Sequence, residues 1–359
     1  MDKLNVLEQA EQLKEQSQYR KALTLFKKAY LSFSREDSPA EVLQCLLSMG
    51  DVCRMTGSFD AAVNHYNGAI ALAKKLMHKT TAADARVGLG LSLRAQGNWQ
   101  EALKCISESR KVYEKINDLE GVAFTVWAEA GTFRISGQIR QAIATFKKAL
   151  AMFKTLKQPS GTGYCLCGLG GTSRVAGLFD DSLRYYSAAN SLFTSIRDSF
   201  GMAYSYCGTG NALRMKGDFG NALKFLGKAT RIYIRIGDTV SYAYTLWSLG
   251  ATYLMTGKYK KSREHFNSAM RLFRKTKDPR GVIYCRIGFA EADFLEGRPA
   301  NAKKKLTLAA TEAAGHCFAV EECHAKTVLS FVNEGMSDNK CYNNLRIKIR
   351  FQGLPFNIP

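Results

Sequence analysis

The chain has 359 residues, 46% of them hydrophobic, and a formal net charge of +20 from 51 Lys+Arg against 31 Asp+Glu. The apolar content excludes a disordered polymer, and only 6 prolines in the whole length point to a largely helical chain. The cationic excess favours acidic peptides, nucleic acid or anionic membrane surfaces as partners, without choosing among them.

The first residues, MDKLNVLEQAEQLKEQ, are charged and amphipathic and contain no apolar signal core. No later stretch approaches the roughly eighteen apolar residues that a membrane span needs, so a soluble, cytoplasmic protein without a transmembrane segment is expected. A first, degenerate unit follows, with Ala10, Ser17, Tyr19, Ala22, Phe26 and Ala29 in its key places. From there a glycine returns every 40 residues, at Gly57, Gly97, Gly137, Gly177, Gly217, Gly257 and Gly297. A fixed period of this length marks an array of helical hairpins, each contacting only its neighbours.

The other positions of the unit explain the hairpin. A small residue precedes the glycine at Gly50, Gly90, Ala130, Gly170, Gly210, Gly250 and Ala290, and a large one follows at Phe59, Trp99, Ile139, Phe179, Phe219 and Tyr259. Small residues then recur at Ala62, Ala102, Ala142, Ser182, Ala222, Ser262 and Ala302, and again from Ala69 to Ala309. Small side chains let two antiparallel helices approach, and the aromatic fills the space beside them. The recurrent glycine suits the left-handed end of the first helix. Asp118, Asp198, Asp238 and Asp278 stand where they can accept the free N–H groups of the next helix.

Toward the end of the array Pro299 replaces the aromatic and Lys303-Lys304-Lys305 follows, as expected of a terminal unit that meets water. The reading is seven tandem units over residues 1–317, a capping helix within 318–342 and a distinct segment over 343–359. In that last segment Leu345, Ile347, Ile349 and Phe351 alternate with Arg346, Lys348 and Arg350, which is strand-like. A disordered tail, a segment laid along the last unit and a docking element for another protein are all open.

The pattern, clearest in AYTLWSLGATYLMTGKYKKSREHFNSAM over residues 243–270, resembles the tetratricopeptide repeat, with Trp247, Leu249, Gly250, Tyr253, Gly257, Tyr259, Phe266 and Ala269 at the consensus places. The long unit is similar to that of the Leu-Gly-Asn / Partner-of-Inscuteable adaptors and of many bacterial regulators, although the Leu-Gly-Asn signature itself survives only as Thr209-Gly210-Asn211. The resemblance implies an all-α, right-handed superhelical solenoid whose first helices line a concave groove.

Two rows on those first helices repeat with the glycine: Arg54, Arg94, Arg134, Arg174 and Arg214, and Phe124, Tyr164, Tyr204, Tyr244 and Tyr284. The rows lie ten residues apart, close to three turns, and so share one helix face. Facing a groove, the guanidinium groups suit bidentate capture of carboxylates or phosphates, and the aromatics supply flat contact area. Alternatively, the arginines pair with Asp51, Glu129 and Glu291 and the tyrosines pack between units. Leu254 and Phe294 take the arginine place in the last two units, which makes that end of the row apolar.

The expected function is a scaffold or adaptor that binds an acidic peptide segment of a partner protein. The alternatives are binding of nucleic acid or another anionic polymer by the same rows, or a regulatory subunit that senses a small anionic ligand. Further basic clusters, such as Lys147-Lys148 and Lys260-Lys261-Arg263, read as a solvated outer face, with nucleic acid or membrane docking as the other option. The 10 cysteines follow the repeat and read as buried thiols rather than a disulfide framework. His316-Cys317 with Cys323-His324 matches no standard zinc spacing. No phosphate-binding glycine loop, nucleophile elbow or HExxH motif is found, so no catalytic residue, metal or cofactor is expected.

Overall fold

The computed structural model describes residues 3–349 and 355–358. Its described residues form 18 α-helices and no strand. Eight helix pairs follow one another: α1 (Lys3–Glu15) with α2 (Tyr19–Arg35), α3 (Pro39–Met55) with α4 (Phe59–Lys75), α5 (Lys79–Ala95) with α6 (Trp99–Lys115), and α7 (Leu119–Ile135) with α8 (Ile139–Thr155). They continue as α9 (Pro159–Val175) with α10 (Phe179–Ser195), α11 (Ser199–Met215) with α12 (Phe219–Ile236), α13 (Thr239–Met255) with α14 (Tyr259–Thr276), and α15 (Pro279–Leu295) with α16 (Pro299–Gly315). Helices α17 (Ala319–Glu334) and α18 (Lys340–Asn344) complete the helical part of the described residues. Over the stretch read from the sequence as seven units the described residues thus form eight pairs, the degenerate first unit and the seven marked by glycine.

Seven of the eight pairs turn at the glycine, and the first turns at Ser17 with φ 58°. Gly57, Gly97 and Gly177 have φ of 80°, 88° and 79°. After Gly177, the N–H of Leu178 donates to the Ser173 carbonyl at 2.8 Å, which satisfies an acceptor that the helix end would otherwise expose. Between pairs, carboxylates start the next helix: Asp118 accepts the Gly121 N–H at 2.9 Å, Asp198 that of Gly201 at 2.8 Å, and Asp278 that of Gly281 at 3.0 Å.

The chain forms two compact units, Met1–Glu129 with Tyr233–Val240, and Ala130–Ile232 with Ser241–Pro359. In the first, Tyr66 of α4 is fully buried; a Cβ placed on Gly50 of α3 would lie 2.7 Å from its ring, and one on Gly88 of α5 2.3 Å. In the second, Tyr186 of α10 stands in the same way between Gly170 of α9 and Gly208 of α11, at 2.8 and 2.0 Å, and Phe266 of α14 between Gly250 of α13 and Gly288 of α15, at 2.6 Å each. In these three second helices one ring thus seats between glycines of two successive first helices and joins a pair to its successor.

The second unit also holds the chain's last segments. Ala319 of α17 abuts Gly137, and Val320, Cys323, Tyr342, Ile347 and Ile349 bury against Ile139, Val175 and Ala176. The Lys348 N–H donates to the Ala176 carbonyl at 2.9 Å. Of the placements left open by the sequence, residues 345–349 therefore take a laid-down position, but on the ends of α7 and α9 rather than along the last pair. Burying two isoleucines contributes about 1.5–3 kcal/mol each, enough to hold such a segment in place.

The ring-and-glycine seats predict opposite outcomes for two similar changes. Gly208→Ala should lower stability by about 1–3 kcal/mol in urea or thermal unfolding, because the new methyl must displace the Tyr186 ring. Gly227→Ala, within α12 and with nothing inside 4 Å of the added Cβ, should raise it by about 0.5–1 kcal/mol.

Candidate functional site

In the first unit the two arginines of the row are held by their own surroundings. Arg54 Nε donates to the Tyr66 hydroxyl at 3.2 Å, and that hydroxyl donates to Asp51 at 2.7 Å. Burial works against the Arg54 charge, but Tyr66 and Asp51 outweigh it and hold the group above its usual range. Arg94 Nη1 donates to the Ala128 carbonyl at 3.1 Å, and Phe124 stacks on Trp127 with centroids 5.4 Å apart while staying 38% exposed.

The second unit carries the other three. Arg134 and Arg174 are half-buried, and the Nε of each is sealed from solvent without a hydrogen-bond partner. Arg214 is the largest fully buried side chain among the described residues. Its Nε and Nη2 donate to Asn211 Oδ1 at 3.3 and 3.2 Å, and its guanidinium lies 5.3 Å from the centre of the Trp247 ring. Burial, then the nearby Arg174 charge, disfavours its cationic form. Glu291, the buried carboxyl whose charge acts on Arg214, is itself pushed by burial up to about 8.

A segment of the chain itself occupies this place. Arg214 Nη1 donates to the Asn357 side-chain oxygen and Nη2 to the Ile358 carbonyl at 3.1 Å, while Asn357 Nδ2 donates back to the Arg214 carbonyl at 3.1 Å. Phe356 meets Phe294 and Phe331 edge-on, with centroids 5.7 and 6.2 Å away. Phe294 stands at the arginine position of its unit, so the switch from Arg214 to an apolar residue corresponds to a switch from amide recognition to an aromatic pocket.

The aromatic row divides by task. The Tyr164 hydroxyl donates to Asp198 at 2.8 Å, and Tyr244 is hydrogen-bonded to Asp278. Both carboxylates cap the next first helix, so these two tyrosines steady helix starts. Tyr204 packs on Phe200 at 6.2 Å. Tyr284 is buried against Trp247 at 4.8 Å, with Arg280 donating to its hydroxyl at 3.2 Å. Arg280 in turn pairs with the fully buried Glu321 at 2.6 Å.

Asn211 and the Phe356–Ile358 segment are the site residues that the repeat spacing misses, whereas Glu291 was read as a possible arginine partner and Trp247 as a consensus residue of its unit. Asn211 was visible only as the one surviving Leu-Gly-Asn signature. The thiol reading needs one correction: Cys323 and Cys341 form a disulfide, while Cys45, Cys53, Cys105, Cys165, Cys167 and Cys285 are buried and free. Cys341 reaches α17 only because α18 folds back, which no repeat spacing reports. Cys317 is exposed, His316 stacks on Phe318, and His324 is buried against Tyr342, so the four residues do not converge. Among the described residues no cluster could hold a metal ion, and no helix is long and apolar enough to cross a membrane.

A family model, Tetratricopeptide repeat, matches residues 2–75 and 81–155. The later pairs repeat the same hairpin with the same glycine-closed ends. The match covers the first four pairs, less than half of the chain, and marks them as similar to the tetratricopeptide repeat. Among curated proteins, none matches its sequence. Similar solved structures include a Rap protein complexed with Competence and Sporulation Factor, at 15% identity and a TM-score of 0.60 over 93% of this chain and 98% of that one. Another is the Rap conjugation gene regulator of the plasmid pLS20 in complex with the Phr* peptide, at 13% identity and a TM-score of 0.62 over 95% and 92%. The apo form of RapI follows at 12% identity and a TM-score of 0.56, over 77% and 99%. At these identities the likeness is one of fold: successive helical hairpins.

The buried groups predict a pH dependence with two limbs. Glu291 is raised from 4.5 to about 8, so its contribution is complete below pH 4.5 and is lost as pH rises through about 8. His324 is lowered by burial, and then by Arg280 and Arg174, from 6.5 to about 3, so its contribution is present above 6.5 and is lost as pH falls. Between these two groups only Glu291 acts from pH 6.5 to 8. The Tm of the protein should fall across that interval, and Glu291→Gln should flatten the fall.

Proposed function

We propose that the protein is a cytoplasmic peptide-binding adaptor whose site lies in the second unit, along Arg134, Arg174 and Arg214. The observation that carries this reading is the Phe356–Ile358 segment on Arg214: the site accepts a peptide backbone bent at Asn357, reads one carbonyl and one side chain, and takes an aromatic anchor beside them. A pocket built for a compact metabolite would not need an aromatic subsite displaced along the row. The similar Rap structure solved with the Phr* peptide supports the same kind of ligand.

The acidic character of the partner is argued from Arg134 and Arg174. Each keeps a buried Nε without an acceptor, and a buried guanidinium lacking its full set of acceptors costs free energy that a carboxylate would return. Arg54 and Arg94 are engaged within their own unit and are left out of this reading. Nucleic acid is the competing ligand, since phosphates would satisfy the same groups, but the tyrosines at Tyr164 and Tyr244 are tied to helix caps and do not offer a free stacking platform.

Fluorescence anisotropy with an acidic ten-residue peptide, compared with oligo-dT, tests the proposal. The peptide should bind in the micromolar range, and Arg134→Glu with Arg174→Glu should weaken it at least a hundredfold, since each charge-assisted contact contributes about 1.5–3 kcal/mol. Tighter binding of oligo-dT with a steep salt slope would reverse the choice of ligand, and equal peptide affinity in the double variant would refute the site.

A further inference from the structure

The Arg214 subsite is more selective than a charged groove requires. A lone cation in a peptide groove would satisfy itself with any carboxylate. Here the fully buried guanidinium donates to the Asn357 amide oxygen, while the backbone carbonyl of the same arginine accepts the amide N–H at 3.1 Å. The second terminal nitrogen reads the next residue's carbonyl at 3.1 Å. An aspartate in the place of Asn357 would set a carboxylate oxygen against the Arg214 carbonyl, two acceptors with no proton between them. A glutamine would carry the amide one methylene too far. Asn211 holds the guanidinium from behind, and Ser248 accepts from Asn211 Nδ2 at 2.9 Å, so the donor pair is fixed before anything arrives. One residue earlier, Phe294 and Phe331, themselves 5.8 Å apart, leave an aromatic-lined place that the Phe356 ring fills.

We infer that this subsite recognises an aromatic–asparagine–aliphatic run bent at its asparagine, where Asn357 has a left-handed φ of 66°, and that Phe356-Asn357-Ile358 is a built-in ligand which a partner carrying the same run must displace. The inference rests on the peptide-groove reading above and adds to it a sequence class and a competitor. A tethered segment works at an effective concentration of the order of a millimolar. With an intrinsic dissociation constant of about 10 µM it would fill the subsite about 99% of the time and weaken a competing peptide about a hundredfold. The segment is anchored upstream independently of Arg214, by Ile347 and Ile349 in the α8–α9–α17 cluster and by the Lys348 bond to Ala176. Emptying the subsite therefore leaves that anchor in place.

The test uses the full-length chain and a fluorescein-labelled peptide with the sequence of residues 345–359. Phe356→Ala with Asn357→Ala, which empties the subsite, should bind the probe about a hundredfold more tightly than the wild type does. A probe with aspartate for its asparagine should lose at least tenfold on the same variant. Asn357→Ala alone, which keeps the aromatic anchor, should show an intermediate gain and guards against a folding defect in the double variant. Equal binding to wild type and to both variants, or no binding to either variant while circular dichroism and Tm match the wild type, overturns the inference. An aspartate probe that binds as well as the asparagine probe overturns the amide selectivity. The acidic-peptide experiment is read separately: if acidic peptides bind and this probe does not, only the built-in ligand falls, and if this probe binds and acidic peptides do not, only the acidic reading falls.

Discussion

The array depends on one contact, the seating of a ring between two glycines. Tyr66, Tyr186 and Phe266 each sit where Cβ atoms on the flanking first helices would lie 2.0–2.8 Å from the ring. Nothing larger than hydrogen fits on either side, so at these three places the ring sets the spacing of a pair and its successor together. Close packing of this kind fixes geometry more tightly than apolar burial alone, because the seat has no room for a second arrangement. Within each unit register then passes from pair to pair, and residues forty apart come to equivalent places on their helices.

That inheritance explains why the arginine row exists and also why its members differ. Equivalent backbone positions put Arg54, Arg94, Arg134, Arg174 and Arg214 on equivalent parts of their helices, but each meets a different neighbourhood. Tyr66 and Asp51 satisfy the first and a backbone carbonyl the second. Arg134 and Arg174 keep an unpartnered Nε. Arg214 faces Asn211, Trp247 and the returning chain. A repeat supplies position, and the substitutions around it supply chemistry.

Much of this was legible in the sequence. The forty-residue glycine, the paired small residues and the capping aspartates specify helical hairpins, because each obeys a local rule that reads the same in every copy. The apolar end of the row at Phe294 was also visible. Three features were hidden for a common reason. The aromatic seat at Tyr66 and Tyr186 is filled by isoleucine or leucine in other copies, as at Ile106, Leu226 and Leu306, so it reads as ordinary core. Tyr164 and Tyr244 look like a binding surface until their aspartate partners are located. The return of the last residues to Arg214 and Gly177 is a contact across more than a hundred residues of sequence, and periodicity carries no information about such contacts. The short alternation of Leu345, Ile347 and Ile349 announced an extended segment but not what it would lie against.

The helix-ending glycines look interchangeable along the chain, with φ between 71° and 88° throughout the marker series. Their surroundings are not alike. Beside Gly217, Gly257 and Gly297 there is open space, whereas a Cβ on Gly177 would lie 2.7 Å from the Lys348 backbone. At the former places a side chain would meet only the strain of a left-handed backbone. At Gly177 it would also push a neighbouring strand of chain off its seat. The residue that recurs most faithfully is thus a mere punctuation mark in three copies and a landing surface in another, so how often a residue recurs is a poor guide to what it does in any one copy.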